Sequence, residues 1–231
     1  MEKIGSHAGH AKVGSGGAVG AVSILLNESS ENRLVNAEII RLLKENGITA
    51  YDNTVDVGTQ NEILNKIVSN CNSRATDLEL SIHFNAGAND LTGNEKTTGV
   101  ECYVYNIASP TAKIAERINE KIAAFGFKNR GVKNGSGLAF LKGVKTPAIL
   151  IEVCFVDDKD DADLYKKVGY KAIAKAIVEG VLNKTIQTEP EQAANNTLYK
   201  VQVGAFSVKA NADKLANELK TKGYNCTVVK G

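Results

Sequence analysis

The chain has 231 residues, 43% of them hydrophobic and 23% charged, with a formal net charge of +2. That is enough apolar sequence for one substantial core and a small appendage. Its longest apolar runs, such as 148–151, stop far short of the roughly 20 residues that cross a bilayer, which argues against membrane insertion.

The opening Met1-Glu2-Lys3-Ile4-Gly5-Ser6 lacks the basic-then-apolar layout of a secretory signal. The chain is therefore expected to be made in the cytoplasm without a signal peptide and to use another route for any export. A first strand is expected to end at Gly9-His10, entering a glycine-rich passage with Gly14, Gly16, Gly17 and Gly20. Val35, Ile39, Leu42 and Leu43 recur at helical spacing. Leu78, Leu80, Ile82 and Phe84 alternate with other residues as in a strand, which carries His83 near its end and runs into Asn85-Ala86-Gly87. The stretch 100–105 is rich in β-formers. A second helix starts at Ser109-Pro110, a cap residue followed by proline at the first helical position, continues through Ile114, Ile118 and Ile122, and ends near Gly126. The run 147–155 is almost continuously apolar and reads as a strand buried on both faces, and Ile173, Ile177 and Val181 mark a third helix. Helices alternating with buried strands predict an α/β layered domain over residues 1–183.

Residues 184–197 are polar, contain a proline and lack apolar periodicity, as a linker does. The four cysteines, Cys71, Cys102, Cys154 and Cys226, are widely spread without the close pairs of a zinc ribbon or redox motif. Free thiols are expected, with Cys154 a small buried side chain and not a nucleophile.

Of the three histidines, His10 and His83 both stand at strand ends. In open α/β sheets ligand sites gather at the carboxyl ends of the strands, so the two imidazoles can meet there, although the strand order is not readable from the sequence. Glu152 interrupts Pro147-Ala-Ile-Leu-Ile-Glu-Val-Cys-Phe155. An unpaired carboxylate in such a setting costs several kcal/mol, so it calls for a partner or a task. A buried salt bridge is one reading. The other is a proton-handling group beside a metal or substrate, its pKa raised by the apolar surroundings.

Gly9-His10, Glu28 four residues before Asn32 at a helix start, Ser81-Ile82-His83-Phe84-Asn85-Ala86, and Leu150-Ile151-Glu152-Val153-Cys154-Phe155 together resemble the type 3 family of N-acetylmuramoyl-L-alanine amidases. The resemblance covers roughly the first 180 residues. It implies a mixed, mostly parallel sheet flanked by helices, one zinc ion (Zn2+) held by His10, Glu28 and His83, and Glu152 as the catalytic carboxylate. It also places Asn85 and Arg130 beside the substrate, the latter in 129–133, which looks like the family's loop before the last core strand. The family's first motif usually carries an acidic residue and proline before Gly-His, whereas Ser6-His7-Ala8 stands here. His7 is thus a rival ligand, and Gly-His spacing favours His10, leaving His7 as a surface or supporting residue. Glu31 competes with Glu28, but the spacing to Asn32 favours Glu28 and leaves Glu31 to complement the helix dipole. Two imidazoles and one carboxylate leave zinc an open position, as a catalytic site requires.

From Leu198, Tyr199, Val201 and Val203 alternate as in a strand, Ala212, Leu215, Ala216 and Leu219 share a helical face, Gly223 stops the helix and 227–229 reads as a second strand. This resembles the first half of a SPOR (sporulation-related repeat) domain, a small α+β peptidoglycan-binding module, over 198–231. So short a unit is expected to need more chain or a second copy. Its six lysines against one Asp and one Glu suit an anionic cell wall or simply solvate the helix. Without arginine or a recognised motif they do not suggest nucleic acid.

The resemblance implies hydrolysis of the amide between N-acetylmuramic acid and L-alanine in peptidoglycan, by an endolysin or a sporulation-associated autolysin reaching the wall on release or by a non-classical route. A zinc peptidase of stem peptides and a non-catalytic wall-binding protein are the alternatives.

Overall fold

The computed structural model describes residues 1–186, 202–224 and 226–229, and the chain divides into two compact units, Met1–Gln187 and Thr188–Gly231. The first unit runs β1 (Lys3–Ala8), α1 (Glu28–Glu45), β2 (Thr49–Asp52), α2 (Gln60–Asn72), β3 (Leu78–Asn85), β4 (Val100–Val104), α3 (Pro110–Ala123), β5 (Asn129–Asn134), α4 (Ala139–Gly143), β6 (Ala148–Phe155), α5 (Lys159–Val168) and α6 (Tyr170–Leu182).

The strands form one sheet in the order β2-β1-β3-β6-β4-β5. Neighbours are parallel except β4 and β6, which are antiparallel, so β4 and β5 run against the other four. This is the expected mixed, mostly parallel sheet flanked by helices.

Side chains alternate across a strand, and here the alternation separates two environments. Ile4, Leu78, Leu80, Ile82, Ile149, Ile151 and Val153 are fully buried on one face, in one cluster with Val35, Ile39, Ile118, Ile122, Ile173 and Ile177 of α1, α3 and α6. Gly180 lets α6 close on α3: a Cβ there would lie 2.8 Å from the Ile118 Cα. The other face carries His7, Ser81, His83, Glu101 and Glu152, with a smaller apolar cluster in which Ile63, Ile67 and Cys71 of α2 meet Phe140 and Leu141 of α4 and Leu150 of β6. The period-two pattern thus puts polar chemistry on one side and the main core on the other.

The three expected helices are α1, α3 and α6, and Pro110 does open α3. Three more exist. In α2 a capping box between Thr59 and Glu62 starts a helix that buries only Ile63, Ile67 and Cys71. A largely charged sequence makes up α5, and α4 spans five residues. Residues 129–133 are not a loop. They form the edge strand β5, whose polar side chains conceal it because an edge needs no continuous apolar run. β6 is buried on both faces, as expected, with Glu152 alone half-buried.

The second unit contains α7 (Lys209–Thr221), with Ala212, Leu215, Ala216 and Leu219 half-buried along one face. Most of the expected linker and the Tyr199 and Val201 positions lie outside the described residues. Residues 227–229, expected as a strand, show no ladder pairing among the described residues. All three of Cys71, Cys102 and Cys154 are buried free thiols, and Cys226 is a free, half-buried one. Among the described residues no helix is long and apolar enough to cross a membrane.

Candidate metal centre

The end of β1 continues its pairing through Gly9 N–H, which donates to the Ile82 carbonyl at 3.0 Å. His10 then turns with φ of 65°, a left-handed conformation that costs energy in a residue with a Cβ. Two side chains of α1 hold this turn. Asn32 Nδ2 donates to the Gly9 carbonyl at 2.8 Å, and Arg33 Nη2 donates to the His10 carbonyl at 3.0 Å. The Glu28-to-Asn32 spacing therefore has a physical meaning: one helical turn separates a side chain that enters the site from one that fixes the backbone of the site.

Glu28 is the first residue of α1, where the helix dipole favours a carboxylate. Its Oε1 accepts from the Phe84 N–H at 3.1 Å and lies 2.9 Å from His83 Nδ1, while Oε2 accepts from the Ala21 N–H at 2.7 Å and lies 3.4 Å from His10 Nε2. Burial works against its charge, but the hydrogen bonds and charges of His10 and His83 prevail and hold its carboxyl well below the usual range. The two imidazole rings meet edge to face with centroids 4.9 Å apart. One donor atom from each of His10, Glu28 and His83 lies within 4.8 Å of the others.

Two glycines make room for this set. A Cβ on Gly9 would stand 2.1 Å from His83 Cε1, and one on Gly20, whose φ is +75°, would stand 2.3 Å from Glu28 Oε2. The glycine-rich passage is thus partly a mould for the three donors.

Strand order brings the fourth group alongside. β6 lies next to β3, with Glu152 registered against His83, and on its other side Glu152 is registered against Glu101 of β4. Glu152 Oε2 is buried without a hydrogen-bond partner. Burial, then the nearby charges of Glu28 and Glu101, push its pKa up to about 8.

Glu101, only 1% exposed, is the residue that sequence reasoning missed. It accepts from Asn85 Nδ2 at 2.9 Å, Tyr103 Oη at 2.8 Å, Arg130 Nε at 2.5 Å and Lys133 Nζ. Burial opposes its charge, but these donors hold its pKa below the ordinary value. The expected substrate residues Asn85 and Arg130 are therefore brought together, on one carboxylate beside Glu152. The available signal was the one that exposed Glu152, a carboxylate interrupting an apolar strand.

His7 is buried, contrary to the surface reading, and outside the donor group. It registers against Ser81, packs edge-on against Phe140 at 4.7 Å, and is kept neutral by burial and then by the charge of His83, its pKa lowered to about 3. It shares the sheet face of His83 but is not one of the three converging donors. Glu31 lies in the first turn of α1 and accepts from Tyr165 Oη at 2.9 Å. Cys154, with burial pushing its thiol pKa far upward, is no nucleophile.

An α/β domain with two imidazoles and a carboxylate at the carboxyl ends of its strands, and a further carboxylate alongside, has the donor layout of a hydrolase metal centre. Residues 6–183 match the family described as N-acetylmuramoyl-L-alanine amidase (Amidase_3), and the chain belongs to that family. Residues 164–231 match the SPOR domain. The chain is 35% identical over 161 residues to the N-acetylmuramoyl-L-alanine amidase CwlM of Bacillus licheniformis, covering 68% of this chain and 58% of that protein. It is 34% identical over 169 residues to the sporulation-specific N-acetylmuramoyl-L-alanine amidase of Bacillus subtilis, covering 72% and 62%. It thus spans about three fifths of the length of these relatives. Among solved structures, the catalytic domain of CD27L endolysin targeting Clostridia Difficile superposes with a TM-score of 0.71 at 32% identity, covering 81% of this chain and all of that one. The catalytic domain of CwlV from Bacillus (Paenibacillus) polymyxa, at 21% identity and a TM-score of 0.65 over 79% of this chain and 97% of that one, shares the fold.

Proposed function

We propose that this chain is a zinc-dependent N-acetylmuramoyl-L-alanine amidase, hydrolysing the amide between the lactyl group of N-acetylmuramic acid and L-alanine in peptidoglycan. The observation that carries the reading is the convergence of His10, Glu28 and His83 within 4.8 Å beside a carboxylate oxygen of Glu152 that has no partner. Family membership supplies the substrate class.

The donor set fits zinc. Two nitrogens and one oxygen suit its borderline character, the two glycines that a Cβ would obstruct keep the donors together, and the carboxylate is fully ionised for the purpose. The chemistry such an ion supplies when held there is Lewis acidity, which polarises a carbonyl and acidifies water. Asn32 and Arg33 keep His10 in place through its backbone, and the Phe84 and Ala21 amides orient Glu28. At Oε2, Glu152 takes the proton of the attacking water and returns one to the departing amine nitrogen of L-alanine. Glu101 fixes Asn85 and Arg130 at the rim, where they bind the substrate. Residues 1–183 form the catalytic domain in this reading, 184–197 the linker, and 198–231 part of a module that holds the enzyme on the peptidoglycan.

Digestion of purified peptidoglycan by the metal-loaded chain tests it. The expected products carry free lactyl carboxyls on the glycan and new L-alanine amino termini in equal number. New termini between stem-peptide residues, with the lactyl amide intact, would replace the amidase by a peptidase.

A further inference from the structure

Arg130 is fixed more firmly than charge neutralisation requires. Its Nε donates to Glu101 at 2.5 Å, and its guanidinium carbon stands 4.9 Å from the centroid of the Phe155 ring, so one edge and one face of the group are held. Among the described residues the two terminal nitrogens, Nη1 and Nη2, donate no hydrogen bond, and the side chain is 28% exposed. These two nitrogens are the fork that grips a carboxylate at two points. Lys133 bonds the same oxygen of Glu101, so two cations meet that carboxylate, with Asp161 also within electrostatic reach of Arg130.

The fork also stands at a defined reach from the donors. His83, Glu152 and Glu101 register across β3, β6 and β4, with β5 next. At about 4.8 Å per strand, and with Arg130 reaching back over β4, the guanidinium lies roughly 10 Å from His83, about two to three residues of extended peptide. In the substrate proposed above the lactyl carboxyl is consumed in the scissile amide and the N-acetyl sugar is neutral, so carboxylates near the reacting bond belong to the peptide.

We propose that Arg130 is a specificity residue that reads a peptide carboxylate two or three residues beyond the scissile amide through a two-point hydrogen bond, an inference that rests on the amidase reading. The experiment compares N-acetylmuramoyl-L-alanyl tripeptides bearing a free carboxylate or a primary amide at the second residue, and a second pair differing at the third. It measures kcat/KM for the zinc-loaded chain and, by calorimetry, affinity for the corresponding cleaved tripeptides. A charged bidentate bond predicts about a tenfold or greater preference for the carboxylate in one of the two pairs, in both measurements. Arg130→Gln should abolish the preference. So should Arg130→Lys, which keeps the charge that neutralises Glu101 but lacks the fork, and a thermal melt confirms that it is folded. Equal treatment of carboxylate and amide in both pairs by the unsubstituted chain overturns the proposal, as does full preference in a folded Arg130→Lys protein. Should neither substrate be cleaved while calorimetry still shows an Arg130-dependent preference, the amidase reading falls and the carboxylate site stands.

Discussion

At the scale of single residues, the proposed reading gives three side chains to the metal and a fourth to proton transfer. His10→Ala or His83→Ala is expected to lose bound zinc and wall-lytic activity together, whereas His7→Ala and Glu31→Ala should retain about one zinc per chain, since metal ligation by this layout needs all three donors. Metal analysis of the purified variants decides it. Glu152→Gln should keep the metal and the fold while cleavage falls by ~10²–10⁴-fold, the usual contribution of a general acid-base group. A folded, zinc-loaded Glu152→Gln protein with near-normal turnover would make this carboxylate structural. The raised pKa has a second consequence. In the metal-free chain, across the window from the ordinary 4.5 to about 8, the folded state holds a proton on Glu152 that the unfolded chain has released. The associated stability is present in acid and is lost as pH rises through that window. Melts of the metal-free protein on either side of the window should show this loss, and Glu152→Gln should remove it.

Individual elements differ in how much of them the sequence displays. Leu78, Leu80, Ile82 and Phe84 announce β3 because one face of it is buried without exception, and the buried Ile118 and Ile122 with the half-buried Ile114 announce α3. The donor set His10, Glu28 and His83 is legible through the resemblance of their motifs to the amidase family, and the fold brings the three together. By contrast β5 is polar, α5 is charged and α4 is one turn long, so their existence depends on neighbours that no local pattern records. Glu101 was obscured in a similar way. Its importance comes from lying across β6 from His83, and strand order is a property of the whole sheet. The helix pair α3 and α6 offers a direct test of packing. Alanine is favoured over glycine by about 1 kcal/mol in a helix interior, so Gly180→Ala would stabilise an isolated helix. Here the new Cβ meets the backbone of Ile118, and overpacking of this kind typically costs about 1–3 kcal/mol. A melting temperature several degrees lower is expected, and an unchanged or higher one would show that the helices can part freely.

For the molecule as a whole, the proposed metal would couple to the fold, because the three donors come from the end of β1, the start of α1 and β3. Removing zinc with a chelator should lower the melting temperature and speed hydrogen exchange at the Phe84 and Ala21 amides, which are bonded to Glu28. Unchanged exchange at both would mean that Glu28 is held equally well without the ion. The order of the strands has a further effect, on the making of the protein. The last strand of the first unit, β6, occupies a place between β3 and β4 in the interior of the sheet. A growing chain therefore possesses His10, Glu28 and His83 once residue 83 has emerged, but acquires Glu152 only near the end of the first unit. Until then β3 and β4 each lack the neighbour they share, and such unpaired edges invite association with other chains. In the proposed reading, completion of the sheet and arrival of the proton-handling carboxylate are then the same event in synthesis, and a chain interrupted before β6 would hold the three donors without Glu152.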